Sequence, residues 1–197
     1  MKRTQKQLNP PKGIPTILAM LVSLPLLFAL SGCENLSTKP VDATHIEINL
    51  QNQTNAEATL SLAKQLENNG FTVKPVSDDQ LVLRYNQHNY ILEPKLHPKG
   101  LSRIVVSRLF EIKPEYQSSP NLFVLVTALN RDLNFAKFSI LPENHAGHVQ
   151  TAITFVDEKV SLDEIKQFIA WFDDSLAEVK QMVPPEALDM IQTPNSQ

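Results

Sequence analysis

Leu101-Ser102-Arg103-Ile104-Val105-Val106-Ser107-Arg108-Leu109-Phe110-Glu111-Ile112-Lys113 reads as one long strand. Ile104, Val106, Phe110 and Ile112 fall on one face, with Arg103, Ser107 and Glu111 on the other. That period of two is what a sheet with one buried face imposes. Arg108 breaks the pattern by landing on the apolar face. The expectation is a rim arginine whose stem packs while its guanidinium finds a carboxylate. The Pro98-Lys99-Gly100 break and Pro114 mark the ends of the stretch.

Upstream, Phe71–Val76, Leu81–Tyr85 and Asn89–Glu93 have strand character and are separated by turn formers, Ser77-Asp78-Asp79 and Asn86-Gln87-His88. Ile46, Ile48 and Leu50 alternate with polar residues, a further short strand. Between them lies a predicted helix, Asn55–Asn69. Thr54 and Glu57 have capping-box spacing, and Gly70 with Phe71 suits a Schellman ending on Leu66. Downstream, Ser119-Pro120 opens a second helix. Its Leu122-Phe123-Val124-Leu125-Val126 run leaves almost no polar face, which predicts either the centre of the core or the seam of a dimer. Phe135–Leu141 and Val149–Asp157 make a hairpin across Pro142–His148. A last helix starts at Ser161 and Glu164, again a capping box, with Val160 and Ile165 as its staple. Leu162, Ile165, Phe168, Ile169, Phe172, Leu176, Val179 and Val183 trace its stripe, and Pro184-Pro185 stops it. Hairpin-length connections imply antiparallel pairing. The predicted class is α+β, an antiparallel sheet of about five to six strands with three helices on one side, in the order α-β-β-β-α-β-β-α.

From Asn55 to Val183, with Ala128-Leu129-Asn130-Arg131 running through Asn134-Phe135-Ala136-Lys137-Phe138 into a strand, the succession resembles the YbjN-like family, which is similar in fold to type III secretion chaperones. The resemblance implies a non-enzymatic, partner-binding module that often dimerises. Many relatives look cytosolic, and the amino terminus of this chain does not.

Met1 to Gly13 is basic, and Ile14 to Leu30 is apolar apart from a few small residues and Pro25. This is the order of a secretory signal. The apolar run falls short of the ~20 residues of a spanning helix. Leu30-Ser31-Gly32-Cys33 resembles the lipobox of bacterial lipoproteins, and Cys33 is the sole cysteine. The resemblance implies cleavage between Gly32 and Cys33, a diacylglyceryl thioether on the Cys33 sulfur, and acylation of the new amino terminus. Two or more acyl chains give stable anchoring. Glu34, where an aspartate would mark inner-membrane retention, leans the resemblance towards the outer membrane, facing the periplasm. An uncleaved anchor with an incidental cysteine, or a plain secreted protein, are the alternatives. The expected organisation is a signal peptide over 1–32, a lipidated amino terminus and tether over 33–44, one domain over 45–183 and a loose tail over 184–197.

Once the leader is removed, 165 residues remain, with 14 basic against 21 acidic side chains, a formal charge of −7. That balance, with no basic stripe, argues against nucleic acid. A single cysteine excludes an internal disulfide and a thiolate metal cluster. His145 and His148 flank Ala146-Gly147 and are read as turn histidines, with a shared metal as the alternative. His45, His88 and His97 are scattered. Gly70, Gly100 and Gly147 sit at turns, and no phosphate loop is present. No serine has nucleophile-elbow context. In Asp163-Glu164 and Asp173-Asp174 the side chains diverge by about 100°, so both pairs read as a solvated acidic face. Trp171 lies about 110° off the stripe of the last helix, among Gln167, Asp174, Ser175 and Glu178. It is either a core flank or a partner anchor. Trp171, Gln167, Ser175 and Glu178 are the candidate partner-contact residues.

No catalytic residue and no cofactor beyond the lipid on Cys33 is expected. The functional expectation is a membrane-anchored lipoprotein acting as a non-catalytic, chaperone-like or regulatory protein-binding module in the cell envelope, with a homodimer through the Pro120–Leu129 helix as a further expectation. A small envelope hydrolase would need polar side chains converging in a concave pocket. A structural component of an envelope assembly is the other alternative.

Overall fold

The computed structural model describes residues 46–192. Each predicted element forms, and local chemistry accounts for most boundaries. Helix α1 (Asn55–Asn68) begins with a complete capping box: the Thr54 hydroxyl accepts from the Glu57 N–H at 3.2 Å, and the Glu57 carboxylate accepts from the Thr54 N–H at 2.8 Å. It ends in a Schellman motif, with Phe71 N–H on Leu66 C=O and Gly70 N–H on Glu67 C=O. Gly70 takes a φ of +85°, the left-handed value such an ending requires.

Strands β1 (Glu47–Asn49), β2 (Thr72–Ser77), β3 (Gln80–Tyr85), β4 (His88–Lys95) and β5 (Ser102–Ile112) follow the alternation in the sequence. Helix α2 (Pro120–Asp132) leads to β6 (Lys137–Leu141), which turns through Pro142–Asn144 and left-handed His145 into β7 (Ala146–Phe155). A short strand β8 (Lys159–Ser161) runs straight into α3 (Leu162–Met182). There Ser161 Oγ accepts from Asp163 N–H and the Glu164 carboxylate accepts from Ser161 N–H, both at 3.2 Å. Helix α4 (Pro185–Leu188) and strand β9 (Ile191–Gln192) close the described chain.

The main sheet has seven strands in the order β2-β3-β4-β5-β7-β6, with β9 added to the end of β5, and every pairing is antiparallel. β1 and β8 form a separate two-stranded sheet. Helices α1 and α3 bury their apolar stripes on one face. Leu62 and Leu66 of α1 and Ile165, Ile169 and Phe172 of α3 are fully buried with Leu83, Tyr90, Leu92, Ile104 and Val106 of the sheet. On the opposite face Val82, Ile91, Val105 and Leu109 stay half-buried. The architecture is the expected α+β, helices on one side of an antiparallel sheet. No helix among the described residues is long and apolar enough to cross a membrane.

The two edges are handled differently. Edge strand β2 carries Lys74 and Pro75 and a register shift between Pro75 and Ser77, devices that discourage further pairing. Edge strand β6 is covered by a side chain instead. The Asn130 amide accepts from Phe138 N–H at 2.9 Å and donates to Phe138 C=O at 2.8 Å, in the manner of one more strand residue. This gives the Asn-Arg ending of α2 a physical purpose: it ties the helix to the strand that follows.

Three expectations change. The region after Pro184 is not loose as far as Gln192. Met190 is buried with Ile112 and Leu122, its carbonyl accepts from Lys113 N–H at 3.1 Å, and Ile191 pairs with Ile112. Prolines stop α3 but do not prevent the chain from docking again. His148 lies within β7 and not in the turn, because Ala146 already pairs with both Leu141 and Glu111. Helix α2 is not the centre of the core: Leu122 is its one buried residue, and Phe123 and Val124 are 55% and 67% exposed.

If the docked tail is a structural part of the domain, Met190→Ala lowers unfolding stability by about 2 kcal/mol. Urea denaturation measures this, and an unchanged midpoint would mean that the segment does not pack in solution.

Candidate functional site

Helix α2 reaches the sheet through Leu122 at one end and the Asn130 clasp at the other. Between these points a cavity of about 410 Å³ opens among α2, the carboxyl half of α3 and β5, β7 and β6, with Val126 and Leu129 also packed against the core. Leu125, Val126 and Leu129 of α2 form one wall, and Leu176 and Val179 of α3 another. Phe110, Phe138 and Val149 form the floor. The volume lies in the range of small-ligand sites, about 300–1,000 Å³.

A polar cluster closes one end. Asp173, on α3 directly after the fully buried Phe172, is only 9% exposed. Its Oδ1 accepts from Tyr90 Oη at 2.5 Å and from His88 Nδ1 at 2.8 Å, and its Oδ2 accepts from Asn86 Nδ2 at 2.9 Å. Burial would raise this carboxyl's pKa, but the bonds from Tyr90, Asn86 and His88 outweigh that and hold it below the ordinary carboxylate value. An ionised carboxylate only accepts, so His88 carries its proton on Nδ1. Burial, with the bond to Asp173, pushes the Tyr90 phenol well above its usual range. Asp173 is therefore not part of a solvated acidic face. The doubled acid is surface-like as a pattern, but one more helical step carries Asp173 onto the buried side while Asp174 stays exposed.

Arg108 is the other charged member. It is 5% exposed, and its Nη1 lies 3.8 Å from Asp173 Oδ1, close enough for charge attraction but too far for a hydrogen bond. The guanidinium sits over the Phe110 ring at 4.8 Å and near Tyr90 at 5.9 Å. Its head has found a carboxylate as expected, but the residue is interior and not at a rim.

Of the candidate contact residues, Gln167 and Trp171 line an open surface concavity at the other side of α3, with Leu101, Val156, Lys159 and Phe168. Leu101, Val156 and Trp171 are 63%, 61% and 45% exposed. Ser175 and Glu178 continue the Trp171 side of α3 by one and two turns and lie outside that concavity. The Trp171 ring meets Phe135 edge-on at 5.9 Å and Phe168 at 5.3 Å. Trp171 is thus a core flank on one edge and exposed on the other. His148 lies near the Ser139 hydroxyl at 3.3 Å, and burial lowers its pKa. No group of three metal-ligating side chains gathers among the described residues. Gly32 and Cys33 lie outside the described residues.

The sequence signal that could have found the polar cluster is faint: an arginine on an apolar strand face, and an acid next to a stripe phenylalanine, 65 residues apart. Nothing in the sequence joins them.

Residues 61–183, more than half of the chain, match the model of the YbjN family, described as "Putative bacterial sensory transduction regulator". No curated protein matches the chain.

The ionised Asp173 sets an acid dependence. Its folded-state pKa lies below the unfolded value of about 3.8, so its contribution is present above that value and is lost as the pH falls through the lower one. Asp173→Asn is expected to cost about 2 kcal/mol at neutral pH. In urea titrations run from neutral pH down to about pH 3, the gap between variant and wild type narrows with acid. A gap that stays constant would contradict an ionised Asp173.

Proposed function

The chain belongs to the YbjN family, and on that footing we propose that it is a membrane-anchored lipoprotein acting as a regulatory protein-binding module in the bacterial cell envelope. Its family is described in terms of sensory transduction and regulation, roles that rest on contacts with other proteins. The observation that carries the contact reading is the clustering of Leu101, Val156 and Trp171, three exposed apolar side chains from separate elements, around one concavity. Aromatic anchors of this type dominate binding energy at protein interfaces. Lys159, Glu164 and Gln167 supply a polar rim.

A hydrolytic role is supported less well. Asp173 orients His88 as it would in a catalytic dyad, but the one hydroxyl lining the cavity, Ser139, lies against His148. The hub resembles an anchor more than a nucleophile-activating relay.

The lipid on Cys33 and an outer-membrane, periplasm-facing location rest on the lipobox-like residues alone. Cys33→Ser is expected to move the protein out of the membrane fraction and to abolish alkyne-fatty-acid labelling. Unchanged fractionation with no label on the wild type would refute the anchor. For the contact surface, a photo-crosslinker at Gln167 should give a discrete adduct that Trp171→Ala removes, while one at exposed Lys64 gives none. Adducts indifferent to Trp171 would refute the surface.

Exposed Phe123 and Val124 on the outer side of α2 favour a homodimer through that helix. Light scattering should then report twice the chain mass, reduced to one chain by Phe123→Glu. A monomeric wild type would remove this part.

A further inference from the structure

Arg108 brings five N–H donors to the wall of the α2 cavity, where the Tyr90 hydroxyl is a neighbour and Asp173 Oδ1 lies 3.8 Å from Nη1, and among the described residues none of the five makes a well-aligned hydrogen bond to a side-chain acceptor. The side chain is buried, with 5% of its residue surface exposed. Its stem and the Phe110 ring hold it in place, and Asp173 already takes three donors from other residues. No nitrogen of Arg108 is sealed off without a partner, so the guanidinium keeps an open side towards the cavity, where an acceptor on a ligand can reach it. The wall facing it is aliphatic, from Leu125, Val126 and Leu129 of α2 to Leu176 and Val179 of α3. Among the described residues Asp173 is the one carboxylate in the lining, against Arg108 and Lys180, so the lining holds one more cationic than anionic side chain.

A cationic, planar donor at one end of an apolar chamber selects an anion with an apolar body. We propose that the cavity beneath α2 is a binding site for an amphiphilic monoanion, specifically a medium-chain fatty carboxylate, with its head on Arg108 and its tail along Leu125, Val126 and Leu129. The fork of the guanidinium matches a carboxylate in two parallel bonds. Lys180 lines the same cavity and is exposed, which adds attraction for the approaching anion. The tail replaces solvent along the part of the inner side of α2 that borders the cavity. A free acetate lacks the tail, and a fatty alcohol lacks the charge. The site is distinct from the Trp171 surface and does not depend on Cys33.

Calorimetric titration of the purified full-length chain in a non-ionic detergent, with detergent alone as reference, tests the proposal. Decanoate should bind at least about tenfold more tightly than decanol or acetate. Arg108→Met, which keeps the stem, should weaken decanoate at least about tenfold and bring it level with decanol. Leu125→Trp leaves the polar cluster untouched, fills the chamber and should abolish decanoate binding, so the test survives if the arginine variant does not fold. Absence of decanoate binding to the wild type overturns the site. Equal binding of decanol overturns the role of Arg108, and equal binding of acetate overturns that of the apolar wall. Wild-type affinity in Leu125→Trp would place any decanoate elsewhere.

Discussion

An ionised carboxylate buried between a helix and a sheet has to be ringed by donors, and the domain is arranged around one such ring. Asp173 faces the strand pair β3–β4, and Asn86, His88 and Tyr90 come from the turn and first residues of that pair. Removing two or three of those donors would leave a charge in a medium where it is poorly solvated. The bonds therefore fix the rotation and depth of α3 more sharply than its aliphatic stripe could, since Leu, Ile and Phe side chains tolerate small slides. Phe172, the neighbour of Asp173, packs against Tyr90 with ring centres 5.9 Å apart, so the polar and apolar contacts lock the same turn of helix.

That turn divides the interior. On its amino-terminal side, Ile165 and Ile169 close with α1 onto the sheet in a fully buried core. On its carboxyl side, Leu176 and Val179 border a chamber under α2, which meets the rest of the domain through the Leu122–Ile112–Met190 cluster, the Asn130 clasp on Phe138 and the partly buried Val126 and Leu129. The Trp171 surface is on the other side of α3, joined to the interior through the edge-on contacts of Phe135 with Trp171 and Phe172.

The elements were legible wherever a local rule sets them. Thr54 with Glu57, Ser161 with Glu164, and Gly70 with Phe71 each need only neighbours in sequence, and each forms as the sequence implies. The alternation over Leu101–Lys113 gave β5 and the face of the sheet that carries the helices. What could not be read depends on partners distant in the chain. Asp173 looks like half of a solvent-facing pair until the strands bring Tyr90 and His88 to it. Met190 and Ile191 look like tail until Ile112 offers a strand end. The apolar run of α2 demanded cover, but its inner side is shared between the core and a cavity and its outer side is bare, so neither composition nor period distinguished a central helix from a flanking one. Strand β8 was missed because its residues also serve as the approach to the cap of α3. The lipobox-like residues are a different kind of signal, addressed to processing enzymes and independent of the fold.

The carboxyl of Asp173 is the point at which the whole account can be tested in one measurement. Following its side-chain carbon resonance through an acid titration by nuclear magnetic resonance gives its protonation midpoint directly. A midpoint below the unperturbed 3.8 is the result that a fully hydrogen-bonded, ionised hub requires. A midpoint at or above that value would mean that the donors are not in place, and the registration of α3, the orientation of His88 and the chamber beside Arg108 would all lose their foundation.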